Sequence, residues 1–377
     1  MGIEKGAFTL DREDIFVIYG KKPKAMAREL LERAGVADEI PEGASIGLKP
    51  NLVVSKSAES GATTSPEIVE ALIEYLKEHG FGDITIMESS WVGDDTRRAY
   101  RVCGYEEISK RYGVPLLDLK RDKAIFHEAG GLKIEYCDTP FRVDYLINLP
   151  VLKGHCQTAM TCALKNMKGC ITDREKRRFH TLGLHKPIAC LNKVRAADLV
   201  LVDGMRGDLD FEEGGNPVQM NRMLLCKDSV LIDAYVAQIM GYDLEEIPYI
   251  TLAAELGVGS LDVESANIVE MNRDESGVSL TSSRRARALA KYIDESDACS
   301  ACYGSLIHAL ARLEDRGMLR GIRGKIHIGQ GFKGKEPGGM GVGVCAKGCE
   351  KCVPGCPPKA IDIVRMLEES ISSGGKR

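Results

Sequence analysis

Two short apolar runs constrain this chain more than any other feature: Tyr-Leu-Ile-Asn-Leu at 145–149 and Asp-Leu-Val-Leu-Val at 198–202. Each is bounded by turn signals, too short for a helix, and apolar at consecutive positions, so each reads as a strand covered on both faces. Such strands belong to parallel sheets, whose crossover connections lay helices on either side. The first third of the chain supplies the matching alternation. Residues 14–19, 44–48, 83–87 and 114–117 read as further strands. Residues 23–34, closed by Gly35, read as a helix, and Ser65-Pro66-Glu67 as the N-cap and first turn of another. That second helix carries Ile68, Val69, Leu72, Ile73 and Leu76 on one face and stops at Gly80. Residues 230–240 form one more amphipathic helix. The expected fold is α/β, a mostly parallel sheet with helices on both faces, plus a small C-terminal cysteine-rich iron–sulfur module. Across residues 271–285 the composition turns to Asn, Arg, Asp, Ser, Gly and Thr. This places the α/β domain at 1–285 and the module at 286–377.

A chain of 377 residues can bury a large core without disulfide staples, yet it holds 13 cysteines, an odd number. Clustered cysteines in a long chain point to metal binding in a reducing compartment. The opening Met1-Gly-Ile-Glu-Lys-Gly6 has no apolar segment of a secretory signal, and Gly6 stands where a myristoylation motif wants Ser or Thr. No apolar run approaches the roughly 18 residues needed to cross a bilayer. The expectation is a cytoplasmic protein without a membrane partner. A net charge of −4 gives no overall signal for nucleic acid.

Six cysteines lie near the C-terminus: Cys299-x2-Cys302, then Cys345-x3-Cys349-x2-Cys352-x3-Cys356, followed by Pro357 and Pro358. An iron–sulfur cluster needs four soft thiolates meeting at one centre, and a C-x-x-C loop delivers two from one turn of backbone. The run from Cys349 to Pro357 resembles the later part of a bacterial ferredoxin pattern. The step from Cys345 to Cys349 is one residue too long for it. C-x-x-C, a distant Cys and then Gly-Cys-Pro-Pro are closer in style to the small subunits of hydrogenase-like enzymes. The first choice of ligands for a [4Fe–4S] cluster is Cys299, Cys302, Cys345 and Cys356, with Cys349 and Cys352 as alternates. A four-cysteine zinc site is the main competing reading. The other seven cysteines should mostly be small core residues, with a second cluster from Cys156, Cys162 and Cys170 as a minor alternative.

From Lys153 to Arg195 cations dominate: ten Lys and Arg face only Asp173 and Glu175, and His155, His180 and His185 fall there too. For Arg174, Lys176, Arg177 and Arg178 an exposed basic helix face is the expected explanation. Lys153, His155, Lys165 and Asn166 differ, because they follow the 145–149 strand at its C-terminal side. In open α/β sheets ligands bind at that end. Lys49 and Asn51 end one strand, Glu88 and Ser89 another, and Asp203 and Gly204 a third. These strand ends are expected to converge on one cleft for a carboxylate or phosphate. His155 and Glu88 are the candidate acid–base groups and Lys165 a charge stabiliser. Lys49, Asn51, Lys153, Asn166 and Asp203 are the candidate substrate contacts. Gly329-Gln-Gly331-Phe-Lys-Gly334 has G-x-G-x-x-G spacing but no helix signal after it, so it is a weak nicotinamide site. The glycine-rich stretch 329–343 reads either as a flexible surface loop or as backbone wrapped around a cofactor.

With these residues in view, the chain resembles the DUF362 family of uncharacterised iron–sulfur-binding proteins from about Ser45 to its C-terminus. Lys49-Pro-Asn-Leu52, Thr63-Thr-Ser-Pro-Glu67, Glu88-Ser89, Asn148-Leu-Pro-Val-Leu-Lys-Gly-His155, Thr161, Leu164-Lys-Asn-Met-Lys-Gly169 and Ala197-Asp-Leu-Val-Leu-Val-Asp-Gly204 carry the resemblance. Many members have a ferredoxin-like C-x2-C-x2-C-x3-C-P segment, where this chain has the split arrangement. The resemblance implies a cluster and an α/β body but no reaction. The favoured function is an iron–sulfur oxidoreductase relaying electrons from a redox partner protein to a small anionic substrate. Two others stand beside it: a non-redox lyase or isomerase with a structural or Lewis-acid cluster, and an electron carrier without turnover. Nucleic acid is disfavoured because no aromatic platform accompanies the basic residues.

Overall fold

The computed structural model describes residues 10–273, 280 and 285–374. The opening hexapeptide and most of the composition break, 274–279 and 281–284, lie outside the described residues. One eight-stranded sheet organises the chain. Its strands lie side by side in the order Asn267–Met271, Asp14–Tyr19, Pro217–Cys226, Leu199–Asp208, Tyr145–Leu149, Ile46–Pro50, Ile84–Glu88 and Leu116–Asp118. Neighbours run parallel except at Pro217–Cys226, which is antiparallel to both Asp14–Tyr19 and Leu199–Asp208. The expected α/β fold with a mostly parallel sheet is therefore present.

Alternate side chains enter alternate faces of a strand, and here each face has its own core. Ile15, Val17, Val200, Val202 and Leu224 enter one; Phe16, Ile18, Leu199, Leu201 and Leu225 enter the other. Helices Pro23–Arg33 and Pro66–Glu78 cover the second face with Leu30, Leu31, Ile68, Leu72 and Leu76. Helices His185–Val194 and Ser229–Ile239 cover the first with Ile188, Leu191, Val230 and Val236. Sequence and structure agree on most strands to within two residues. The 198–202 run is the start of a longer strand, Leu199–Asp208. Its partner Pro217–Cys226 escapes sequence reading because only its later half is apolar, while Pro-Val-Gln at its start reads as loop. The turn between them, 209–216, stands over the C-terminal ends of the parallel strands.

A second sheet has four parallel strands, Ile293–Glu295, Ile326–Ile328, Met340–Val342 and Lys351–Val353. With helices Ser300–Asp315 and Ala360–Gly374 it encloses a core containing Leu306, Leu310, Ile326, Ile328, Ile363 and Leu367. The two sheets meet through specific contacts. Phe211, from the 209–216 turn, belongs to this second core and stacks on His308 with ring centroids 4.1 Å apart. Gln157 Nε2 donates to Glu295 Oε1 (2.8 Å) and Ala298 O (3.0 Å), and Ser300 Oγ donates to Gln157 Oε1 (2.9 Å). The glycine-rich 329–343 stretch is no open loop, because it contains strand Met340–Val342. A Cβ on Gly329, at φ +122°, would stand 1.9 Å from Ser296 O, so this glycine serves close backbone packing. Only a short 3-10 turn, Gln330–Phe332, follows it, with no helix to receive a dinucleotide.

Ile147 is fully buried in a central strand, whereas Phe126 is 55% exposed. Ile147→Ala should therefore lower unfolding free energy by about 2–5 kcal/mol, and Phe126→Ala by no more than about 0.5 kcal/mol. Urea denaturation of both variants checks this; equal effects would contradict the core assignment.

Candidate active site at the strand ends

Parallel strands Ile46–Pro50, Ile84–Glu88 and Tyr145–Leu149 end together and release their polar residues at one place. Lys49 Nζ lies 2.7 Å from Glu88 Oε2, both side chains nearly inaccessible to water. Lys49 also donates to Pro50 O (2.9 Å), while Glu88 accepts the Leu52 and Ser89 N–H groups at 3.1 and 2.7 Å. Asn51 Nδ2 donates to Asn166 Oδ1 (2.9 Å), and Asn166 Nδ2 to Asn148 Oδ1 (2.7 Å). A Cβ on Gly169 would stand 1.9 Å from Glu88 Oε1, so the backbone itself closes over this pair. Buried charges and amides persist only when satisfied in this way.

Above this floor opens a cleft of about 980 Å³, counting volume open to solvent. Asn51, Glu88, Ser89, Thr161, Lys165, Asn166, Lys168, Lys176, Arg177 and His180 line it from the large sheet. Glu212 and Glu213, from the 209–216 turn, line it as well. Lys165 Nζ donates to Glu212 Oε1 (2.6 Å) and Thr161 Oγ1 (3.2 Å). His155 Nδ1 accepts the Gln157 and Thr158 N–H groups at 3.0 and 3.1 Å. Its proton is thereby assigned to Nε2, which stands 3.0 Å from Glu212 Oε2 but outside hydrogen-bond alignment. Burial, then the Lys165 charge, pushes His155 down to about 4, so the ring is neutral near pH 7. Burial alone would raise Glu212, but Lys165 and His155 hold its carboxyl well below the usual range. Burial and then Glu212 push Glu213 up to about 7. Lys168 is pushed down to about 7 by burial and then by Lys165.

Ionic pairing leaves this cleft cationic. Glu88 is matched by Lys49 beneath the wall and Glu212 by Lys165, whereas Lys168 has no ion-pair partner among the described residues. Three lining residues, Trp91, His180 and Glu213, carry buried polar atoms without hydrogen-bond partners among the described residues: Nε1, Nδ1 and Oε2. Trp91 packs closely on Gly93, where any Cβ would meet the indole. The orphaned indole N–H beside cations without ion-pair partners suits an anionic ligand.

The same cleft is walled on its far side by Cys299, Ser300, Ala301, Cys302, Cys356 and Pro357. Cys299 is the N-cap of helix Ser300–Asp315 and Cys302 sits in its first turn, where free backbone N–H groups favour a thiolate. Burial raises the Cys299 thiol, and Cys356 and Cys345 raise it further. Cys302 is pushed up to about 12 by burial and then by Cys299, Cys356 and Cys345. Cys345 feels Cys356 in turn, so all six pairs of this foursome lie within electrostatic reach. Cys352 feels Cys349, and neither has such an interaction with the foursome. Among the described residues no three His, Cys, Asp or Glu side chains stand at the spacing of a single-ion site. A multi-iron cluster is a wider object than one ion, and soft thiols on several sides of one centre are the donor set it takes. Cys299, Cys302 and Cys356 line the cleft together.

Of the sequence candidates, Asn51, Glu88, Lys165 and Asn166 line the cleft. Lys49 supports it from below and His155 stands behind Glu212. Lys153 is fully buried, donating to Ala62 O (2.5 Å), Glu212 O (3.0 Å) and Asn51 Oδ1 (3.2 Å), so it holds the turn in place. Asp203 is also structural. Its carboxylate accepts the Ser65 and Met205 N–H groups at 2.8 and 2.9 Å, tying the start of helix Pro66–Glu78 to strand Leu199–Asp208. Lys176 departs from the expected exposed helix face. It is buried, donating to Ser89 Oγ (2.6 Å), Ser90 O (2.7 Å) and Ser89 O (3.0 Å), while Arg174 and Arg177 on the same helix are exposed. Cys162 and Cys170 lie in one core and Cys156 packs on another, so these three form no group.

The domain of unknown function DUF362 matches residues 46–238, half of the chain. The Thylakoid-associated protein of Synechocystis sp. is 25% identical over 248 residues, which cover 64% of this chain and 77% of that relative. Among solved structures, the lactate racemase apoprotein from Thermoanaerobacterium thermosaccharolyticum aligns with TM-score 0.38 and 14% identity over 52% of each chain. The chain thus spans about half the length of that apoprotein. A protein from Thermotoga maritima aligns with TM-score 0.37 and 12% identity, over 63% of this chain and 60% of its own.

Two outcomes follow from the floor and wall of the cleft. Lys49→Met strands a buried carboxylate and should cost about 3–5 kcal/mol of stability, most of it recovered by adding Glu88→Leu; chemical denaturation of the single and double variants checks it. Below the ordinary value of about 6.5, the unfolded chain binds a proton that buried His155 refuses down to about 4. Stability should therefore fall as pH drops through that window, and His155→Asn should flatten part of the fall. His308, pushed down to about 4 by burial, leaves a remainder. Identical losses between pH 7 and 5 in wild type and variant would remove His155 as a source.

Proposed function

The chain belongs to the DUF362 family, and from that premise we propose that it is an iron–sulfur oxidoreductase acting on a small carboxylate or phosphate. Cys299, Cys302, Cys345 and Cys356 hold a [4Fe–4S] cluster in this reading, and segment 286–377 is a module appended to an α/β body over 1–285. A reducing, cytoplasmic setting keeps the thirteen thiols available; no helix among the described residues is long and apolar enough to cross a membrane. The observation that carries the proposal is that Cys299, Cys302 and Cys356 share one cleft with Lys165, Asn166 and Lys168.

Such a cluster, when bound, supplies electrons one at a time. The chain's own side chains do the rest. Lys168 and Arg177 attract the anion, and Asn51 and Asn166, locked to each other, orient it. Glu212 fixes Lys165 at 2.6 Å, so this cation is pre-positioned to stabilise charge that develops on the substrate. Glu213, pushed up to about 7, retains a proton near neutrality that the product can take from its carboxyl. The walls of the cleft limit the water that competes for that proton.

One observation favours a second reading. Cys345 is the member of the foursome that does not line the cleft, so a cluster open toward the cleft, serving a lyase or isomerase built on Lys165, Glu212 and His155, is the alternative. EPR separates the readings. A reversible one-electron signal supports electron relay, with or without turnover, and a three-iron signal after mild oxidation supports the second.

Anaerobic preparation of wild type should give stoichiometric iron and acid-labile sulfide. Serine substitution at Cys299, Cys302, Cys345 or Cys356 should abolish most of both, while Cys349→Ser and Cys352→Ser keep them. Stoichiometric zinc without sulfide, or loss confined to the Cys349 and Cys352 variants, would sink the assignment.

A further inference from the structure

The cysteine foursome has an outer side as well as an inner one. Between positions 333 and 359 five lysines, Lys333, Lys335, Lys347, Lys351 and Lys359, face only Glu336 and Glu350, in a chain of net charge −4. All five are exposed, and none has an ion-pair partner among the described residues. Unmatched like charges repel one another, so a concentration of them on one small segment calls for an external counter-charge.

These lysines gather around the outer cysteines. Phe332, Ala346 and Cys349 pack into one small cluster, which brings the turns that carry Lys333 and Lys347 together. A Cβ on Gly348 would stand 2.1 Å from Lys335 O, so that backbone lies against the same turn. Lys333 acts electrostatically on Cys345. In their midst Val344 is 46% exposed, an apolar residue of unusual openness in this chain. Its N–H donates to Gly355 O at 3.1 Å, which sets it beside exposed Cys356. An apolar contact point within a charged ring is how transient protein partners meet: the ring steers the encounter and the centre excludes water. Nucleic acid would need an exposed stacking surface, and Phe332 here is buried.

We propose that the lysine-ringed surface around Val344 docks an acidic one-electron carrier protein, which feeds the cluster past the exposed Cys356. This rests on the cluster reading above. One electron leaves the reduced centre of the carrier and enters the cluster; the carrier is oxidised and the cluster reduced by the same single electron, with no bond made or broken.

The test uses holoprotein whose iron and sulfide have been measured. It is mixed by stopped flow with a reduced plant-type [2Fe–2S] ferredoxin, an acidic carrier, and cluster reduction is followed at increasing salt. The wild-type rate should fall about tenfold from low to high ionic strength. K333E/K347E should slow the low-salt rate about tenfold and remove most of the salt dependence, with K333Q/K347Q in between. Reduction by photoreduced deazaflavin, too small to need a docking face, should be the same in all three proteins. Equal ferredoxin rates in variants that retain the cluster would overturn the docking surface. So would binding of anionic phosphatidylserine vesicles that these variants abolish while the ferredoxin rate stands. A chain without iron and sulfide would remove the cluster reading, and the docking surface with it, and metal analysis reports that case separately.

Discussion

The ion pair between Lys49 and Glu88 is the constraint on which the rest is built. Two opposite charges 2.7 Å apart and nearly inaccessible to solvent hold each other strongly, but neither tolerates the loss of its partner or of its accessory hydrogen bonds. Pro50 O, Leu52 N–H and Ser89 N–H provide those bonds, so the pair also dictates how two neighbouring strands leave the sheet. Gly169 passes so close that no side chain could stand there. The floor is consequently stiff. Groups above it, Lys165 and Asn166 foremost, inherit fixed positions from that layer.

The second sheet arrives at this floor from a distant part of the chain. Three features bring it there: Gln157 bonding to the 295–298 segment and to Ser300, Phe211 stacking on His308, and the Glu213 carboxyl lying against Gly304. All three come from loops at the C-terminal ends of the large sheet's strands. Those loops are where an open α/β sheet keeps its ligands, and here they also form the seat for the cysteine-bearing segment. The cleft is composite as a result, with cations from one sheet and thiols from the other.

Much of this was legible in the sequence because it follows from local pattern. Runs such as Tyr145–Leu149 can only be interior strands, and polar residues at the ends of such runs, Asn51, Glu88, Lys165 and Asn166, met in one cleft as expected. What failed depended on partners far along the chain. Asp203 has the look of a ligand contact, yet its oxygens are consumed by two backbone N–H groups, one of them 138 positions away. Lys176 sits in a run of charges that reads as a solvated face, and only the serines at 89 and 90 reveal why it is buried. Glu212 and Glu213 lie in a Gly- and Asp-rich turn whose importance comes from where the unforeseen strand Pro217–Cys226 places it.

Trp91 has a use that its neighbours lack. It is the single tryptophan of the chain, and its ring forms part of the cleft wall with no hydrogen-bond partner for the indole nitrogen among the described residues. Light absorbed selectively by indole therefore interrogates one spot in the whole molecule. Emission colour reports how wet that wall is, and any nearby chromophore that accepts the excitation dims it. The protein carries its own unlabelled gauge of what enters the space between the lysines and the thiols.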